Sequence, residues 1–308
     1  MVFWKTYPIL NLIKSKCNKE IFKDLQFEKE DVFTYKANIL DTKEIKDIKQ
    51  IKQFLKTNFG GPNRLVLDIP ENKICGKKDI LIHVKNKEII GCIRYHYIGS
   101  FLDKEMYCVD CFCIHPSWRK KGLGDFLLTK LHIYVNENKI PYSMFLKEGP
   151  QLSILVKPLY SGIYVYRKIQ NNTNNIISLT VEEAYKLIDI FCEFNPIFII
   201  KNNSEQYWRL YKNGIHTVLA CIQDTYQYIY GKKIGWITGW IESPISDEYR
   251  AEASKQISDS MYGIFDYIWG NKKWIGNSTE WKIDGQFHWY SYQWNTSINI
   301  NTSYCILN

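Results

Sequence analysis

No apolar run in the chain approaches the ~18 residues that a membrane span needs, and the start MVFWKTYPILNLIKSK lacks a signal-peptide layout. A cytoplasmic protein without a membrane span is therefore expected. Cysteine is present nine times, at 17, 75, 92, 108, 111, 113, 192, 221 and 305, but with no paired CxxC spacing, and the histidines do not cluster. That pattern offers no metal site and no disulfide framework, so the residues are expected to be reduced and mostly buried thiols. Arginine is scarce, 6 of the 40 basic residues, and the lysines are scattered rather than gathered on one element with aromatics between them. A nucleic-acid partner is not expected from such a distribution. The net charge of +8 suits a polyanionic small molecule well enough.

What is present is the composition of a soluble globular protein, 45% hydrophobic and 23% charged, in 308 residues, enough for two domains with a core each. The one low-complexity stretch, QNNTNN at 170–175, is read as a linker. It divides the chain into residues 1–169 and 170–308. In the first part, 41–58 reads as a helix stopped by Gly60-Gly61, 80–84 and 88–98 as a hairpin, and 106–114 as a third strand. A helix from Leu123 and strands at 142–147 and 163–169 follow. In the second part, Thr180 and Glu183 have capping-box spacing at the start of a helix to 194. Then come a helix at 204–211, a strand at 217–222, a hairpin over 226–241, a helix at 253–269 and an aromatic strand at 287–294. The fold class expected is α+β, two tandem halves that each carry a mixed, mostly antiparallel twisted sheet flanked by helices.

The stretch VDCFCIHPSWRKKGLGDFLL, residues 109–128, runs from an apolar strand through a basic turn into an amphipathic helix. Arg119, Lys120 and Lys121 supply charge, and Gly122 and Gly124 let backbone N–H groups face outward at a helix start. Such a junction binds anions through unpaired amides and the helix dipole.

The spacing Arg119, Gly122, Gly124 resembles the R-x-x-G-x-G pyrophosphate loop of GNAT acyl-CoA transferases. Three further stretches resemble the glycylpeptide N-myristoyltransferases, which are built from two GNAT-like halves. Residues 109–115, VDCFCIH, are similar to that family's EINFLCVH; residues 3–9, FWKTYPI, to its FWxTQPV; and residues 283–294, IDGQFHWYSYQW, to its GDGxxxYYxYNW. The order and spacing of these matches span nearly the whole chain.

The resemblance implies an enzyme that moves a fatty acyl group from myristoyl-CoA, or another acyl-CoA, to the amine of an N-terminal glycine on peptides and proteins. It implies acyl-CoA contacts at Phe3, Trp4, Phe112, Cys113, Ile114, Arg119, Lys120, Lys121, Gly122, Leu123 and Gly124. An oxyanion hole would be formed by the backbone amides of Cys111 and Phe112, with no side-chain nucleophile. The base would be the α-carboxylate of Asn308, and the peptide would be met by Asp284 and Gly285. The family's acidic run after the first helix and its Thr-Ala-Gly turn have no counterpart; Gly60-Gly61-Pro62-Asn63-Arg64 and Gly149-Pro150-Gln151 stand there instead. Two other readings remain open: a GNAT enzyme using a shorter acyl-CoA or a small amine, and a non-catalytic acyl-CoA or peptide-binding module. His115 at the strand end is expected to be a structural hydrogen-bond partner. The ending Cys305-Ile306-Leu307-Asn308 has the form of a prenylation box but closes on a disfavoured residue with no polybasic run before it, and is read as coincidental.

Overall fold

The computed structural model describes residues 32–36, 42–60, 65–101, 103–140, 142–152, 158–171, 176–192, 198–199, 205–292 and 305–306, with backbone alone at 32–36, 42–46, 192, 198–199 and 305–306. Contacts between Cα atoms divide the chain into two compact units. The first comprises Met1–Ile98, Lys104–Leu146 and Tyr290–Asn295, and the second Gly99–Asp103, Lys147–Trp289 and Thr296–Asn308. The chain thus passes between units inside a strand, at 146/147, before the asparagine-rich stretch reached by reading composition.

Elements of the first unit follow the order β1 (Val32–Lys36), α1 (Thr42–Asn58), β2 (Leu65–Leu67), α2 (Glu71–Ile74), β3 (Ile80–Asn86), β4 (Glu88–Phe101), β5 (Lys104–Ile114), α3 (Leu123–Glu137) and most of β6 (Ser143–Glu148). Its strands lie in the order β1-β3-β4-β5-β6. The pairs β1–β3 and β3–β4 are antiparallel, whereas β5 and β6 run parallel from Tyr107↔Ser143 to Val109↔Phe145. Helix α1 buries Ile48, Ile51, Phe54 and Leu55 at helical spacing. It is followed by Gly60 at φ +93°, where a Cβ would stand 2.5 Å from the Leu65 carbonyl oxygen. Only glycine fits that exit. Helix α3 buries Leu123, Phe126, Leu127, Leu131 and Val135 against Ile82, Val84, Ile93 and Tyr95 of the sheet. Each fully buried aliphatic side chain there contributes about 1.5–3 kcal/mol. Gly91 of β4 lies under this helix, since a Cβ on it would meet Leu127 at 3.1 Å and Leu123 at 3.2 Å.

The second unit contains β7 (Tyr160–Lys168), β8 (Ile176–Leu179), α4 (Val181–Cys192), β9 (Phe198–Ile199), β10 (Tyr207–Asn213), β11 (His216–Ile229), β12 (Lys232–Glu242), α5 (Asp247–Asp259), β13 (Tyr267–Asn271), α6 (Lys272–Ile275), most of β14 (Lys282–Tyr292) and β15 (Cys305–Ile306). Its strand order is β14-β7-β13-β12-β11-β10-β8. Here β12 and β13 run parallel, over Ile234↔Tyr267 to Trp236↔Trp269, as do β15 and β9. Further along, β12 pairs with β15 at Gly239↔Ile306 and Trp240↔Cys305. The fold is therefore α+β, each unit a mixed and mostly antiparallel sheet flanked by helices, as the sequence led us to expect.

The capping box at α4 closes in both directions: Thr180 N donates to Glu183 Oε2 at 2.8 Å, and Glu183 N donates to Thr180 Oγ1 at 3.2 Å. Two expected helices are corrected. Residues 204–211 hold strand β10 rather than a helix, because Trp208, Leu210 and Tyr211 are buried in ladders with β8 and β11. The helix read at 253–269 begins earlier, at the Ser246 cap, and stops at Asp259. That aspartate is fully buried, accepts Arg167 Nη1 and Gln170 N at 2.8 Å each, and is followed by Gly263 at φ +83°. Met261, Phe265 and Ile268 are buried all the same, so the apolar spacing marked core without marking helix.

Candidate active site

Residues 109–124, the stretch that carries the resemblance, lie in the first unit. Strand β5 pairs regularly with β6 only as far as Val109, and two residues later Cys111 adopts φ +47°. A cysteine in the left-handed region costs roughly 1–3 kcal/mol and marks a local distortion inside strand β5. Neighbouring groups hold it there. The Cys92 thiol of β4 donates to the Cys111 carbonyl at 3.3 Å, and Asp110 is clamped by Arg94 through Nε (2.7 Å) and Nη2 (2.6 Å). Arg94 is itself buried and donates through Nη1 to the Lys73 and Ile74 carbonyls. The strand is reattached past the break where His115 N donates to the Ile90 carbonyl at 2.8 Å.

His115 then caps a single 3-10 turn, Pro116–Trp118: its Nδ1 accepts from Ser117 N at 3.3 Å and lies 2.7 Å from Ser117 Oγ. This is the structural role anticipated for it. Arg119 donates through Nε to the Ile114 carbonyl (3.0 Å) and through Nη2 to the Asn58 carbonyl (2.9 Å), fastening the end of α1 to the end of β5. Lys120 at φ +62° and Gly122 at φ +84° turn the backbone into α3, whose N-cap Gly122 supplies no side-chain acceptor to the first-turn amides. Gly124 has a packing reason: a Cβ there would meet Ile114 Cδ1 at 3.1 Å and Phe112 Cζ at 3.2 Å.

A cavity of about 260 Å³ opens beside the break, lined by Asn58, Phe59, Gly60, Phe112, Cys113, Ile114 and Arg119. Four expected ligand contacts, Phe112, Cys113, Ile114 and Arg119, thus share one wall system. Lys120, Lys121 and Gly122 lie exposed on the adjoining loop, whereas Leu123 points its side chain wholly into the core. Asn58, Phe59 and Gly60 were not anticipated as lining; the only signal was the glycine stop of α1. Burial pushes the Cys113 thiol up to about 11 and the Cys111 and Cys92 thiols higher still. They remain protonated near neutrality and are poor nucleophiles. Phe3, Trp4 and Asn308 lie outside the described residues.

Asp284 and Gly285 belong to the second unit, at an irregularity where the register of β14 against β7 shifts between Ile283 and Gly285. Loss of surrounding water raises the Asp284 carboxyl above its ordinary range. Burial, with the Asp284 charge added, raises Glu148 also. Glu148 carried no sequence signal.

Residues 50–151 match the model of the acetyltransferase (GNAT) family. The matched segment runs from α1 past the end of β6 and contains the break, the basic loop and α3. Among solved structures, a Saccharomyces cerevisiae N-myristoyltransferase with bound myristoyl-CoA and inhibitors aligns with TM-score 0.61 at 11% identity, over 94% of this chain and 89% of that one. A second Saccharomyces cerevisiae N-myristoyltransferase structure, with bound myristoyl-CoA, aligns with TM-score 0.60 at 11% identity, over 96% of this chain and 93% of that one. The shared property is the fold, and it extends well beyond the GNAT segment into the second unit. A search of curated protein sequences returns no match. No helix among the described residues is long and apolar enough to cross a membrane, and none of their His, Cys, Asp and Glu groups could hold a metal ion.

Proposed function

We propose that the protein is an N-acyltransferase that moves a fatty acyl group from CoA to the α-amine of peptides beginning with glycine. The observation that carries this reading is the break in β5: Cys111 at φ +47°, with Phe112, Cys113 and Ile114 on the wall of a cavity that the basic loop adjoins. The pyrophosphate of CoA would lie along 119–124, met by Lys120, Lys121 and the uncapped amides of α3. The thioester carbonyl would lie at this distortion, where the amides of Cys111 and Phe112 stabilise the tetrahedral oxyanion. One such donor is worth ~2.7–4 kcal/mol at the transition state. The neutral amine attacks the carbonyl carbon, so that the C–N bond forms and the carbonyl becomes the tetrahedral oxyanion; the nitrogen gives up a proton to the base, and collapse of the oxyanion breaks the C–S bond and releases CoA as the thiol with a proton returned to its sulfur. Buried, protonated thiols at 111 and 113 accord with direct transfer rather than an acyl-enzyme.

For the base we propose the α-carboxylate of Asn308. It is supported by the chain being held as a strand at Cys305–Ile306, two residues short of that group. The peptide amine has an unperturbed pKa of ~7.7–8.0, so about a tenth of it is already neutral near pH 7, and the carboxylate would accept the proton that the nitrogen gives up as it attacks. The second reading, a shorter acyl donor, is favoured by the volume of the cavity, about 260 Å³, below the ~300–1,000 Å³ usual for larger ligands. Incubation with acyl-CoAs from acetyl to myristoyl and peptides starting with Gly or Ala, read by product mass, tests both. Transfer of long chains to Gly peptides alone is expected. Preference for acetyl-CoA establishes the second reading, and equal transfer to Ala peptides overturns the glycine assignment.

A further inference from the structure

The second unit holds a larger cavity, about 530 Å³, that the acyl-transfer reading does not use. Its walls come from the start of β7, the first turn of α5, the turn around α6, and β14. The charged groups sort into those already engaged and those free. Arg250 donates through Nη2 to Glu242 Oε1 at 2.7 Å and through Nε to Glu242 Oε2 at 3.0 Å, and it also bonds Asp247. Asp247 in turn accepts from Asn277 Nδ2 at 3.2 Å through its other oxygen. Lys272 and Lys273, by contrast, are exposed and form no ion pair with the described residues.

The same lining carries neutral polar groups. Asn271 is 1% exposed and its Oδ1 accepts Lys273 N at 3.2 Å. His288, 8% exposed, keeps Nδ1 2.8 Å from Ser161 Oγ. Burial, with Lys147 nearby, holds its imidazole below the ordinary range, so near neutrality it is a hydrogen-bonding group and not a charge. Ser161 and Gln286 add exposed polar groups to the same walls.

Two unpaired point charges beside a wall of neutral hydrogen-bonding groups fit a ligand with one strongly anionic end and hydroxyls elsewhere. A phosphate carries ~1.5–2 negative charges and three acceptor oxygens, and lysine binds it as a point charge. We propose that this cavity binds a phosphorylated, hydroxyl-rich small molecule through Lys272 and Lys273. The volume lies within the ~300–1,000 Å³ range of small-molecule sites.

Calorimetric titration of the full chain with glucose 6-phosphate, inorganic phosphate and glucose tests the assignment. Saturable binding of the sugar phosphate is expected, weaker binding of inorganic phosphate, and none of glucose. The charge-reversed Lys272→Glu/Lys273→Glu variant should lose ~10-fold or more in affinity at low salt, with an unchanged melting temperature because both residues are exposed. Lys120→Ala/Lys121→Ala should retain sugar-phosphate binding. No saturable binding, or a loss in the 120/121 variant with 272/273 unaffected, overturns the proposal; the latter would place the phosphate on the loop before α3. Added CoA should not compete, so failure of the acyl-transfer reading and failure of this one are told apart.

Discussion

Each unit contains a parallel strand pair followed by a turn into a helix, and the two junctions are built for opposite purposes. In the first, β5 leaves β6 after Val109, twists at Cys111, and leads through Arg119, Lys120 and Lys121 to a helix capped by a bare glycine. In the second, β12 leaves β13 after Trp236 but is covered again by β15 at Gly239 and Trp240. It leads to α5, whose first turn holds Asp247 and Glu248 and whose Ser246 Oγ accepts Tyr249 N at 3.4 Å. A helix start with acidic residues and its own side-chain cap offers an anion no inviting amide, whereas a basic and uncapped one does. Similar architecture therefore supplies one junction that is basic and uncapped and one closed by the protein's own chain.

The largest effect that would break this contrast concerns the strand that closes the second junction. If β15 serves to hold the Asn308 carboxylate in place, adding residues beyond Asn308, or removing Leu307 and Asn308, should lower kcat by ~10²–10⁴. Removing two residues displaces the carboxylate by up to ~7 Å. Asn308→Ala should keep most activity, since the side chain takes no part. A tagged chain as fast as the untagged one would end the terminal-base mechanism and leave β15 a purely structural plug.

Next in size is the charge of the two loops. Lys120→Glu with Lys121→Glu should weaken CoA binding by ~10–100-fold, with a steep salt dependence. Asp247→Lys with Glu248→Lys at the second junction should leave CoA affinity unchanged, because β15 still occupies the strand edge. Calorimetry on both double variants decides whether charge alone, or charge with an open strand edge, defines the site. A gain of a second CoA per chain in the α5 variant would break the comparison.

The first junction was legible in sequence because its signals are local: a β run, three basic residues and two glycines within a few positions. The second was not. Nothing in the composition of Cys305–Ile306 announces a pairing with Gly239–Trp240, which joins segments far apart in the chain. Nor did residues 204–211 announce β10, since the aromatic and apolar spacing there suits a helix face and a buried strand equally, and only pairing with β8 and β11 decides. The capping box at Thr180 and Glu183 was legible for the same reason as the basic loop, its partners being three residues apart. Asn58, Phe59 and Gly60 joined the site through Arg119, whose reach to the Asn58 carbonyl spans 61 residues of sequence.

Gly124 separates fold from binding at the first junction. Valine there must displace Phe112 and Ile114, which already stand 3.2 and 3.1 Å from where its Cβ would be, so a loss of ~1–3 kcal/mol in stability is expected. Because those two side chains also line the cavity, CoA affinity should fall together with stability. Gly124→Ala should show a smaller loss of both. Urea unfolding beside calorimetry checks the coupling, and a stable Val variant with weak CoA binding would show that the glycine admits the ligand's phosphates rather than the neighbouring strand.

The smallest effect belongs to the second junction and sharpens the contrast from the other side. Ser246→Ala removes the side-chain acceptor at the start of α5 and should cost ~1 kcal/mol, within the usual ~0.5–2 for such caps. The same helix packs Ala253 and Ile257 into the core with no exposure, so its register is fixed by burial and the loss should stop at the cap. CoA affinity and acyl transfer should be untouched, since the proposed chemistry lies at the other junction. Chemical unfolding gives the first number and turnover the second. A Ser246→Ala chain that unfolds like the parent but loses activity would mean that the second helix start, and not the first, meets the substrate.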